Sequence, residues 1–138
     1  MNPLKNERGG SLIEFALISW VLFLVLFGII EFGLILYNQA VITNASREGA
    51  RYGIVSRVPR HTSAEIIAYV SQAYADKPKT FGTPDFRVIP QLPASSIFGQ
   101  DLIVDVTWQY DFLLLPNFSS GVLSNPLTLS ARTVMKYE

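Results

Sequence analysis

The chain has no cysteine and a single histidine, His61, among its 138 residues. The first absence excludes a disulfide framework and any thiolate metal site. The second leaves a histidine-based triad or metal cage short of members. Charge of either sign is not in excess: 11 basic and 11 acidic residues give a formal net charge of zero. Nothing in the totals therefore draws the chain toward nucleic acid. No glycine-rich phosphate loop, internal repeat or low-complexity tract is present, and no set of nucleophile, base and orienting group suggests an enzyme. The most informative shortage is local. Between Leu12 and Leu36 only Glu14 and Glu31 are charged, and Leu, Ile, Val and Phe dominate.

That run of 25 residues is about 37 Å long as a helix, enough to cross a hydrocarbon core of about 30 Å with some tilt. It is too long for the core of a cleaved secretory signal, and no Ala-x-Ala follows it. The small-residue pair Gly9-Gly10 instead precedes it, behind a polar head carrying Lys5 and Arg8. Trimming, if it occurs, is expected at that pair, leaving the helix on the product. Arg47 and Arg51 follow the run much as Lys5 and Arg8 precede it, so charge bias alone does not orient the span.

Glu14 lies just inside the apolar run, where a carboxylate is costly without a partner and marks a functional site by default; the plainer reading keeps it wet at headgroup level. Cleavage between Gly9 and Gly10 would create an amine at Gly10, one helical turn from Glu14. Between staggered helices, Glu14 of one copy would neutralise the Gly10 amine of the next and set their register. Glu31, the second acid, either pairs with a neighbouring subunit or assembly platform, or reaches the outer interface.

Beyond Leu36 the helical pattern continues toward Pro59, with Val41, Ala45, Glu48, Tyr52 and Val55 along one stripe. Arg47, Glu48 and Arg51 form a candidate docking patch or a solvated face, with Glu48 and Arg51 spaced to pair. Gly33, Gly49 and Gly53 each cost about 1 kcal/mol against alanine in an isolated helix. They imply close packing against a partner backbone or points of bending. Thr62-Ser63-Ala64-Glu65 has the form of a capping box, opening a second helix with Ile66, Val70, Ala73 and Tyr74 on its apolar face. Three strands are expected: Phe86 to Ile89, closed by Pro90; Leu102 to Phe112; and Leu127 to Tyr137. The last two alternate apolar and polar residues, with Ile103 the exception in the first of them, so an antiparallel sheet covered on one face is expected. The segment 115–126 is too long for a tight hairpin and presents Phe118 and Val122 as a candidate partner loop. His61 reads as an ordinary loop residue. Asp101, Asp105 and Asp111 read as hydrated carboxylates, and no metal site or cofactor is expected.

The motifs carry a resemblance. Gly9-Gly10-Ser11-Leu12-Ile13-Glu14-Phe15 is similar to the processing site of a type IV prepilin. With it, Phe27-Gly28-Ile29-Ile30-Glu31-Phe32-Gly33 and Asn44-Ala45-Ser46-Arg47-Glu48-Gly49-Ala50-Arg51-Tyr52 closely resemble the TadE-like pseudopilins of tight-adherence (Flp-type, type IVc) pilus systems. Val104 to Tyr110, Leu115-Pro116 and Pro126 to Arg132 extend the likeness.

The resemblance implies a leader over residues 1–9, a transmembrane and stalk helix over 10–57 and a small periplasmic domain over 58–138. It implies an α+β, pilin-like fold in which the stalk helix and one short helix pack against a small antiparallel sheet. It further implies processing at Gly9/Gly10 by a membrane aspartyl prepilin peptidase, a cytoplasmic N-terminus in a bacterial inner membrane, and Glu14, Phe15 and Glu31 as assembly residues. The implied partners are the peptidase, the major pilin, other minor pseudopilins and the inner-membrane assembly platform. The chain is then a minor pilus subunit, not an enzyme. The alternative keeps the anchor but makes the protein a permanently membrane-held binding module that presents the 115–126 loop to an envelope partner.

Overall fold

A computed structural model describes residues 7–94, 98–112 and 126–137. The architecture is α+β: a long helix α1 (Glu7–Ile54), a short helix α2 (Ser63–Tyr74), and strands β1 (Asp85–Gln91), β2 (Asp101–Tyr110) and β3 (Leu127–Lys136). The chain divides into two compact units, Met1–Gly33 and Leu34–Glu138, so the boundary falls inside α1.

The first unit consists, as described, of the N-terminal part of α1. From Leu12 to Ile30 every residue is exposed except the half-buried Ser19 and Gly28. Leu12, Phe15 and Ile18 are 69, 70 and 68% exposed. Helical backbone runs through Gly9 and Gly10 without a break and begins at Glu7, three residues before the expected start at Gly10. An uninterrupted apolar surface of this extent exceeds what a protein leaves in water.

The second unit holds the core. The sheet has the order β1-β2-β3 and both pairs are antiparallel. Alternation decides which face is covered: Leu102, Val104, Val106, Trp108 and Tyr110 are buried on one side of β2, joined by Val88 and Leu129 from its neighbours. Ile103 falls on the opposite face, opposite Val134 of β3 and Gln91 of β1. Its apolar side chain thus breaks the alternation without entering the core. β1 does not close at Pro90 but continues to Gln91, with Pro90 opposite Val104. An edge strand tolerates proline because its missing N–H can face away from the ladder.

The covering layer is α2 and the upper part of α1. The expected capping box is formed: Thr62 Oγ1 accepts from the Glu65 backbone N–H at 3.3 Å, and Glu65 Oε2 accepts from the Thr62 N–H at 2.8 Å. Ile66 and Val70 carry the apolar face inward.

The buried stripe of α1 differs from the expected one. Of the expected residues Val41 and Ala45 are buried, and the stripe continues through Asn38, Ile42, Ser46, Gly49, Ala50 and Gly53, with Glu48 and Tyr52 on its flank and Val55 51% exposed beyond the helix end. The reason is close approach. A Cβ on Gly49 would come within 2.7 Å of Val70 Cγ2, and one on Gly53 would collide with Leu102 and Ile66. Both glycines therefore serve packing within this chain, where α2 and β2 occupy the space a side chain would need. Ser46 Oγ donates to the Val104 carbonyl at 2.8 Å and lies 2.8 Å from Thr133 Oγ1, which keeps its hydroxyl satisfied under the sheet. α1 ends at Ile54, three residues short of the expected boundary at residue 57. Pro59 follows in the connection to α2, five residues past the end of α1.

Candidate functional site

Within the first unit, Gly9 and Gly10 are exposed and nothing lies within 4 Å of the position a Cβ would take on either. Glu14 is exposed on the same helix, four residues on, about 6 Å along the axis. It has no ion-pair partner among the described residues. Phe15, beside it, is 70% exposed, and its carbonyl accepts from Ser19 Oγ at 2.7 Å, which removes one polar group from an otherwise apolar surface. The surface offers lipid-like side chains on all sides and one carboxylate near its beginning. Chemically that is a binding element, suited to bilayer or to other apolar helices. Glu31 stands apart from the run in being buried, at 2% exposure.

In the second unit, the expected trio Arg47, Glu48 and Arg51 is divided. Glu48 does not pair with Arg51; its Oε1 accepts the Tyr69 hydroxyl at 3.0 Å. That hydrogen bond raises the Tyr69 pKa above its ordinary value, with desolvation adding to it. Arg47 and Arg51 remain exposed, with no acidic partner among the described residues. Spacing favoured the Glu48–Arg51 pair; the tertiary contact from α2, invisible to spacing, took the carboxylate.

His61 lies in the connection between the helices as expected, but it is packed: it is 6% exposed and its ring lies 4.0 Å from that of Tyr52, which in turn stacks on Tyr69 at 4.2 Å and 4°. Arg57 approaches His61 Nδ1 at 3.4 Å and pairs with Glu65 at 2.9 Å. Glu65, held chiefly by the Thr62 backbone N–H, titrates below the usual carboxylate value. These side chains lock the connection between α1 and α2 and need no ligand to explain them. Asp105 and Asp101 are engaged by Arg132 at 2.6 Å and Lys136 at 2.9 Å on the outer sheet face. Among the described residues no group of three or more potential metal ligands exists. Phe118 and Val122 of the expected partner loop lie outside the described residues.

These features define a class: a small α+β unit whose N-terminal helix is long and apolar enough to cross a membrane once, with a mean hydropathy of 2.6 in its most apolar window. The comparison with known families agrees. Residues 9–51 match the model of the TadE-like protein family, so the chain carries a TadE-like segment that begins at Gly9 and lies wholly within α1. The match spans less than half of the chain. No curated protein and no solved structure matches significantly.

Proposed function

We propose that this protein is a minor, accessory subunit of a tight-adherence pilus, cut between Gly9 and Gly10 by a prepilin peptidase and assembled through α1. It resides in the bacterial inner membrane with its N-terminus in the cytoplasm and residues 58–138 in the periplasm, and acts beside the major pilin on the assembly platform. The observation that carries the reading is the TadE-like match over residues 9–51, within which Gly9, Gly10 and Glu14 are exposed and Glu14 has no ion-pair partner among the described residues.

The mechanism is an exchange of environments. In the bilayer the exposed side chains from Leu12 to Ile30 face lipid; in the assembly they face other apolar helices, so the exchange costs little hydrophobic free energy. What selects the assembled register is charge: the Gly10 amine exposed by cleavage meets the carboxylate of Glu14 in a neighbouring helix, inside a medium of low dielectric where an unpaired charge is expensive. Glu14→Ala should leave the protein in the membrane and impair its incorporation into pili; normal incorporation would refute the pairing. Gly9→Phe should abolish trimming, seen as a product of higher mass, and unchanged mobility would refute the placement of the cut.

A further inference from the structure

The loop between α2 and β1 is tied to α1 at a defined height. The apolar run ends Leu34-Ile35-Leu36, and Tyr37 and Asn38 follow at once. Asn38 is fully buried, and its amide makes a reciprocal pair with the Lys79 backbone: Nδ2 donates to the carbonyl at 2.6 Å and Oδ1 accepts the N–H at 2.7 Å. The Tyr37 hydroxyl donates to the Lys77 carbonyl at 3.3 Å. Pro78, between these anchors, is buried. The backbone of residues 77–79 is therefore fixed beside residues that stand only about 3 Å along the axis beyond Leu36.

That placement turns outward a specific set of side chains. Lys77 and Lys79 are exposed; the first lies 4.1 Å from the Tyr74 ring and the second donates to the Asp76 carbonyl at 3.1 Å, so neither ammonium is neutralised by a carboxylate. Phe81 is 51% exposed and Tyr37 48%. Asp76 is the single acid between residues 76 and 84, leaving the loop with two cations against one anion, and Asp111 is half-buried beside Gly82. Aromatic rings and long cationic chains directly after an apolar span match the headgroup layer, where rings sit at the interface and lysines reach phosphates. Arg47 and Arg51 do not compete for this role. They stand about 16 and 22 Å beyond Leu36 along the axis, past a headgroup layer of roughly 5 to 8 Å.

We propose that the loop 76–84 is a membrane-surface contact, with Lys77 and Lys79 on the phosphates of anionic lipids and the Phe81 ring in the interface. The contact steadies the α+β unit at the bilayer while α1 is embedded, and it must be given up when α1 leaves the membrane. This inference rests on α1 crossing the bilayer, and its test separates the two.

The chain contains no cysteine, so single cysteines can be placed in the full-length protein. Phe81→Cys, Thr128→Cys on the exposed sheet face and Leu22→Cys in the apolar run, each carrying an environment-sensitive fluorophore, are reconstituted in vesicles. The lipid is phosphatidylcholine with or without 30% phosphatidylglycerol, about, chosen to exceed the few anionic contacts two lysines make. A quencher attached to lipid reads proximity. The label at position 81 should be quenched severalfold more than the label at 128 when phosphatidylglycerol is present. Lys77→Gln with Lys79→Gln should reduce that quenching at least about twofold, as should salt at about 1 M, where the Debye length is about 3 Å. Equal quenching at 81 and 128 with strong quenching at 22 overturns the loop contact and leaves the membrane span intact. Weak quenching at 22 overturns the span and the loop contact with it. Quenching at 81 that ignores both lysines and salt overturns the assignment to anionic lipid.

Discussion

The two parts of α1 follow opposite rules. Up to Ile30 the helix carries large apolar side chains and buries almost none of them; from Asn38 to Gly53 it buries one face, in which Ala45, Ser46, Gly49, Ala50 and Gly53 are small. The large residues form a surface that must find its covering elsewhere, in lipid or in other helices. The small ones let the α+β unit fold against its own helix at close range. One continuous helix thus combines a segment that is adaptable in its partners with a segment that is fixed.

Substitutions can break or sharpen that contrast. The largest effect is expected in the core the fixed segment covers: Trp108→Ala, removing the largest buried side chain, should cost about 3 to 5 kcal/mol in urea unfolding of the full chain in detergent micelles. A loss under 1 kcal/mol, roughly the scale of a surface change, would show the core is placed wrongly. Next, Gly53→Val should destabilise by about 1 to 3 kcal/mol through overpacking on Leu102 and Ile66. Gly28→Ala, where the first segment offers open space, should leave the same midpoint unmoved. Equal effects at the two glycines would erase the distinction drawn between the segments.

Asn38→Ala should follow, at about 1 to 3 kcal/mol, because it strips both hydrogen bonds from the Lys79 backbone. Hydrogen exchange at the Lys79 amide should then accelerate ahead of the β2 amides. Unchanged protection would mean that the loop is held by other contacts. The smallest effect concerns pH. Glu65 has a folded pKa below its ordinary 4.5, chiefly through the Thr62 N–H. The stabilisation is therefore complete above that value and is lost as pH falls through the folded value. Glu65→Gln should lower the melting temperature at pH 7, and the difference should shrink toward pH 3; a difference independent of pH would contradict the assignment.

Much of this was legible in the sequence, and for definite reasons. Strands β2 and β3 announce themselves because period-two alternation has one physical cause, a sheet covered on one face. Thr62 and Glu65 read correctly because a capping box is local. The apolar run is likewise local, and the family match falls on the same stretch. The buried stripe of α1 was legible at Val41 and Ala45 but not at Ser46, Gly49 and Gly53, residues with little hydrophobic weight whose value is the absence of bulk. The contacts of Glu48 and His61 were not legible because their partners, Tyr69 and Tyr52, meet them only through the α1–α2 turn. No spacing rule reaches that far. Pro90 reads as a stop unless its strand is known to be an edge.

The central claim is that α1 is an assembly element prepared by a cut, and the most direct test is its N-terminus. Intact mass and N-terminal sequencing of the chain recovered from membranes with and without an active prepilin peptidase should give Gly10 as the first residue in the former and Met1 in the latter. Recovery of the 1–9 leader on the chain in the presence of the active peptidase would contradict the account.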